Sequence, residues 1–112
     1  MEHVASPGRA FSELARVLKS GGELFLTIPF HTDLDITVRR AEMIDGHIRH
    51  IKPPVYHHNP LSRDGSLVYT EYGWDIVTLI EGLGFSQLQY NIVWSYLYGY
   101  LGIPNIYILA RK

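Results

Sequence analysis

Residues 6–30 read SPGRAFSELARVLKSGGELFLTIPF, and the parsing of this stretch decides the fold. Ser6 followed by Pro7 is a helix start, with a serine oxygen available to cap free amides and a proline at the first helical position. Phe11, Leu14, Ala15 and Leu18 then recur at helical spacing, while Arg9, Glu13, Arg16 and Lys19 face away. The spacing predicts a helix over Pro7–Lys19, with Lys19 complementing the helix dipole and Gly21 and Gly22 ending it in the left-handed region. Directly after it, Glu23–Phe30 is a nearly continuous apolar run rich in strand formers. That pattern predicts a strand covered on both faces and closed by Pro29.

Working outward, Thr32–Pro54 supports two readings. Leu34, Val38, Ala41, Ile48 and Ile51 fall on one helical stripe, yet Asp45-Gly46 is a two-residue hairpin signal, with Ile36 and Val38 facing Ile48 and His50. The hairpin is the favoured reading. Lys52–Gly65, KPPVYHHNPLSRDG, holds three prolines and an Asp-Gly and reads as a long loop, a place where ligand contacts concentrate. Thr70 is expected to cap a second helix with Ile76, Val77, Leu79, Ile80 and Leu83 on its apolar face. Phe85–Tyr96 and Ile103–Ala110 are expected to close the chain as two buried strands joined by a turn.

Composition narrows the function classes. The chain has 112 residues, enough for one domain, with 46% apolar and 19% charged residues. Ten basic residues against eleven acidic give a net charge of -1, which supplies no long-range attraction for nucleic acid or anionic lipid. The absence of cysteine excludes disulfides, thiolate metal sites and cysteine nucleophiles, and fits a reducing compartment. No basic leader with an apolar core opens the chain, so a cytoplasmic protein is expected. Gly82–Ala110 holds no charge and superficially resembles a membrane span, but Gln87, Gln89, Asn91, Pro104 and Asn105 interrupt it, which favours strands in a protein outside the membrane.

The string EHVASPGRAFSELARVLKSGGELFLTIPF resembles the middle of a class I S-adenosylmethionine-dependent methyltransferase, and PPVYHHNPLSRDGSLVYTEYGWDIVTLIEGLGF is similar to an uncharacterised subgroup of that family. The resemblance implies an α/β fold over residues 1–112. This would be a partial Rossmann-like sheet in the order helix, strand, hairpin-and-loop excursion, helix, strand, strand, with an antiparallel final hairpin. Ser20 stands where the family has proline. No glycine-rich loop follows a strand and opens a helix, so the cofactor-binding half is missing, and S-adenosylmethionine, the cofactor of the full-length family, is not expected to bind this chain alone. Glu2, His3 and Val4 look like the exit from a preceding strand, whose absence would leave the edge of the Glu23–Ile28 strand open. A homo-oligomer covering that edge is expected.

The same resemblance implies that Phe30 and His31, past the strand end, and Tyr56, His57 and His58 in the loop contact a small-molecule methyl acceptor, with Tyr69 and Trp74 nearby. The plainer alternative makes Trp74 a core anchor and His57 and His58 ordinary loop residues. Some family members hold a divalent cation with a Glu-His pair at this position and a later histidine, which would make Glu2, His3 and His31 ligands, but no metal site is assigned. His47 and His50 share a face only if their segment is helical. Arg39, Arg40 and Arg49 suit an anionic acceptor, although the interspersed Glu42 and Asp45 favour surface charge. Two functions compete. One is the substrate-side portion of a small-molecule methyltransferase, probed by cofactor binding; the other is a non-catalytic module that assembles through its sheet edge.

Overall fold

A computed structural model describes all residues, 1–112. Helix α1 (Pro7–Val17) leads into β1 (Glu23–Leu26), followed by the short strands β2 (Val38–Arg39), β3 (Ala41–Ile44), β4 (His47–His50), β5 (Tyr56–Asn59), β6 (Ser62–Leu67) and β7 (Thr70–Glu71). Helix α2 (Ile76–Glu81) and the long strands β8 (Ser86–Ser95) and β9 (Tyr100–Arg111) complete the chain.

The main sheet has the order β1-β9-β8, and both pairings are antiparallel. Since β1 and β8 both oppose β9, they point the same way but never touch. Leu24 lies opposite Ala110 and Leu26 opposite Ile108. These residues turn one face of the sheet toward α1 and α2, where they join Phe11, Ala15, Tyr72, Ile76, Ile80 and Phe85 in one core. On the other face, Phe25 stacks on Tyr107 at 4.7 Å and stays 63% exposed.

The expected Rossmann-like α/β sheet is therefore overturned. The chain is 45% strand and 15% helix, distributed over small antiparallel sheets, and parallel pairing is confined to a single bridge between Phe30 and Tyr72. The physical reason is that the closing strand slots between β1 and β8, so each takes its ladder bonds from an antiparallel neighbour. β1 is correspondingly shorter than expected and alternates exposed and buried residues, the mark of a strand covered on one face only.

Helix α1 ends two residues earlier than its spacing predicts, with Leu18 already extended, and Ser6 makes no side-chain cap. Its last carbonyls are held from far away. Lys112 Nζ donates to the carbonyls of Leu18 (2.8 Å) and Ala15, a cation where the helix dipole favours one. Gly21, at φ +77, turns the chain so that its N–H meets the Lys112 carbonyl at 2.7 Å.

Three further expectations change. Asp45 and Gly46 do make a hairpin turn, but it joins β3 to β4, with Met43 opposite Ile48, while Val38 pairs instead with Glu71 in β7. Lys52–Gly65 is largely the β5–β6 hairpin rather than a loop. Thr70 caps no helix; it lies buried in β7, and α2 begins only at Ile76. β8 and β9 form the expected antiparallel pair, but full burial is confined to Ile108 and Ala110; Leu88 and Tyr90 pack partly buried against the core, and the far end, Tyr96–Asn105, is exposed.

Candidate metal-binding site

The amino-terminal segment is stitched to the centre of the molecule. The Glu2 carbonyl accepts the N–H groups of Tyr69 (2.8 Å) and Thr70 (3.2 Å), which brings Glu2 and His3 alongside the β5–β6 hairpin. His3 Nδ1 lies 2.8 Å from the Leu67 carbonyl. A carbonyl only accepts, so Nδ1 carries the proton and Nε2 is left with a free lone pair. That tautomer is the one a metal-ligating histidine adopts when a backbone carbonyl orients it.

His3 Nε2 faces His57 Nδ1 at 3.2 Å and Glu2 Oε1 at 3.3 Å, and Glu2 Oε1 is 3.8 Å from His57 Nδ1. The three ligand atoms all lie within 4.8 Å of one another. Tetrahedral bonds of about 2.1 Å place neighbouring ligand atoms about 3.4 Å apart, so these separations suit a cation such as zinc. With His3 Nδ1 protonated, His57 Nδ1–H donates to His3 Nε2, and the two rings meet edge to face at 4.9 Å; a cation bound there would take the place of that proton.

The electrostatics favour an ionised carboxylate. Burial pushes the Glu2 carboxyl up, but its own backbone N–H, the Met1 ammonium and His3 outweigh this and hold it below the usual carboxylate range. Nearby, burial and the Glu2 charge push the Tyr72 phenol up to about 12.

One side of the cluster opens on a cavity of about 180 Å³, lined by Glu2, His57, His31, Thr70, Glu71 and Pro29 among others. It has room for several waters or a small polar group beside the ligands. Pro29 also borders a second hollow of about 560 Å³, with Thr27, Ile28, Phe30 and Pro104–Ile106. The chain leaving β1 thus separates the two, with His31 at one and Phe30 at the other.

The residues expected to contact an acceptor are therefore divided. His31 and His57 share the cavity beside Glu2. Phe30 instead meets Trp74 edge to face at 4.7 Å and Tyr90 at 5.8 Å, in an aromatic group braced by the Trp74 indole N–H on the Thr32 carbonyl. Tyr69 is buried, Tyr56 is half exposed, and His58 sits exposed at the bulge of β5. His47 and His50 lie three residues apart on a strand and so point to opposite faces. Each arginine is engaged: Arg39 with Thr70 and the Ala5 carbonyl, Arg40 with Glu71 at 2.7 Å, and Arg49 with Glu42.

Two residues of the site, Glu71 and Thr70, carry no sequence signal, because their position follows from the β2–β7 pairing. Compared with protein-family models, with curated proteins and with solved structures, the chain matches none. No helix is long and apolar enough to cross a membrane.

Proposed function

We propose that this chain is the substrate-side portion of a small-molecule methyltransferase that uses S-adenosylmethionine, and that it grips a polar acceptor at a divalent cation held by Glu2, His3 and His57. The observation that carries the reading is the cluster itself: two imidazoles and a carboxylate at tetrahedral-edge separations, one imidazole already locked in the ligating tautomer, and a small cavity on the open side. Two histidines and one carboxylate with room for another ligand suit zinc, iron(II) or manganese(II). A bound cation would act as a Lewis acid toward an acceptor hydroxyl. The chain's own contribution is to orient His3 through Leu67, to keep Glu2 ionised, and to shape the cavity with His31 and Glu71.

The family reading rests on the Glu2–Phe30 string. No residue set here fits the cofactor: the glycines fall at turns, helix ends and strand irregularities, and no glycine-rich loop opens a helix. No transfer step is assigned to these residues alone.

Titration calorimetry of the chain with zinc or manganese(II) should show one bound ion per chain. His57→Ala, His3→Ala and Glu2→Gln should each weaken it by at least tenfold. Binding unchanged in His57→Ala would overturn the cluster assignment. Titration with S-adenosylmethionine should give no heat, and micromolar binding would overturn the substrate-side assignment while leaving the metal site standing.

A further inference from the structure

We infer that the free edge of β8 and the aromatic tip that follows it form the interface with a second copy of this chain. The inference does not depend on the methyltransferase reading. β8 is bonded to β9 on one side only, and along its ten residues roughly every second one turns its N–H and C=O to the open side. Natural edge strands are protected by bulges, which β8 has only toward its ends and not within Gln89–Val93, or by shortness, charge or proline. β8 has none of the last three: Ser86–Ser95 contains no proline, and no charged residue occurs from Gly82 to Ala110. The opposite edge of the sheet, β1, spans four residues, carries Glu23 and runs on to Pro29, so it is the better protected of the two.

The side chains beyond the helices point the same way. Trp94, Tyr96, Leu97, Tyr98, Tyr100 and Ile103 are each more than half exposed, with Ile103 at 92%. Their exposed surface is on the order of 1,000 Å², against the roughly 800 Å² per partner that a stable complex buries. So many exposed large apolar side chains within the ten residues Trp94–Ile103 are unusual for an isolated monomer.

A second copy fits better than a lipid surface. Within a bilayer the open β8 edge would leave its N–H and C=O groups without partners, and no basic residue lies within the arm to meet headgroups. Antiparallel pairing of β8 with its own copy satisfies those groups and is self-complementary, as a two-fold axis requires. Pairing of the regular stretch Gln89–Val93, with Asn91 opposite its own copy on the axis, sets Gln89 of one copy against Val93 of the other, so each aromatic tip lies beside the start of the other copy's β8. The two sheets then continue as one of six strands.

Sedimentation velocity of the full chain at micromolar concentration tests this. A discrete dimer is expected. Ile92 is 68% exposed in the single copy, so Ile92→Lys leaves the fold intact by circular dichroism while weakening association at least tenfold. Leu61→Lys, at a residue 94% exposed on a different hairpin, leaves association unchanged. The chain has no cysteine, so oxidation of Asn91→Cys, close to the axis, should trap a covalent dimer, and Leu61→Cys should not. A monomer, a dimer indifferent to Ile92→Lys, open-ended polymers, or a monomer that pellets with phosphatidylcholine vesicles would each overturn the inference.

Discussion

Tyr72 is 1% exposed, packs edge to face on Phe11 at 6.0 Å and sets its hydroxyl 3.4 Å from the Met1 carbonyl. Burial first, and the Glu2 carboxylate second, push its phenol from 10 up to about 12, with Arg39 opposing. A folded value above the ordinary one means that the neutral phenol favours the fold. Its contribution is whole below pH 10 and is lost as the pH rises through about 12. Alkaline titration of phenolate absorbance should contain a late component that Tyr72→Phe removes; if that component survives the substitution, another residue supplies it. Single-residue roles were only partly legible in the sequence. His31 and His57, read from the sequence as acceptor contacts, line one cavity with Glu2. The cluster proposed to hold a cation was not legible, because the histidine that meets the Glu2–His3 pair is His57, fifty-four positions from His3. Only the fold-back of the β5–β6 hairpin brings it there, and no local spacing encodes that.

Among the elements, α2 has six residues and no side-chain cap of its own, so its position depends on what holds its start. Asp75 does this. Its Oδ1 accepts the Thr37 N–H at 2.8 Å and the Thr37 hydroxyl at 2.5 Å, and the same hydroxyl accepts the Gly73 N–H at 3.2 Å. The latch ties the segment before β2 to the start of α2, next to Trp74. Hydrogen bonds to a charged acceptor contribute about 1.5–3 kcal/mol, so Asp75→Ala should lower unfolding free energy by about 2 kcal/mol in urea melts, and Asp75→Asn by less. An Asp75→Ala chain as stable as the parent would show that α2 is held by its apolar face alone. Elements built on strong periodicity, α1 above all, were legible because Phe11 and Ala15 meet the core on one stripe. The β5–β6 hairpin was not. Its turn is Pro60-Leu61, closed by the Leu61 N–H on Asn59 Oδ1 at 2.9 Å, while the Asp64-Gly65 pair that reads as a turn lies inside β6. Gly65 sits there at φ +78, and a Cβ on it would come within 2.6 Å of the His57 carbonyl. In this strand glycine permits close approach rather than ending the element.

At the scale of the molecule, the stable part and the proposed functional part are different regions. The main core lies between the helices and the Leu24, Leu26, Ile108 and Ala110 face of the sheet, and Ala41, Val68 and Tyr69 are buried apart from it at the base of the hairpins. The β3–β4 and β5–β6 hairpins hang from it, with β4 exposed throughout. β3–β4 is anchored at its base, where the Arg40 and Ala41 N–H groups reach the Tyr69 carbonyl and Arg40 pairs with Glu71. The whole-chain architecture was the least legible part, since a crossover from β1 through α2 to β8 reads as adjacent parallel strands until β9 is known to lie between them. That division of the molecule has a measurable consequence. Phe11 is fully buried, and truncating such a side chain costs about 3–5 kcal/mol, a large share of the about 5–15 kcal/mol that holds a domain together. Phe11→Ala should therefore accelerate hydrogen exchange throughout β1, β9 and α2 together. Ile48→Ala, at a residue 50% exposed on β4, should raise exchange only within β3–β4, because hairpins with few buried contacts open locally without the core. Exchange that rises across the whole chain in Ile48→Ala would mean the hairpins and the core unfold as one unit. In that case cation binding through His57 on β5 should stabilise the core strands as strongly as it stabilises the hairpin that holds it.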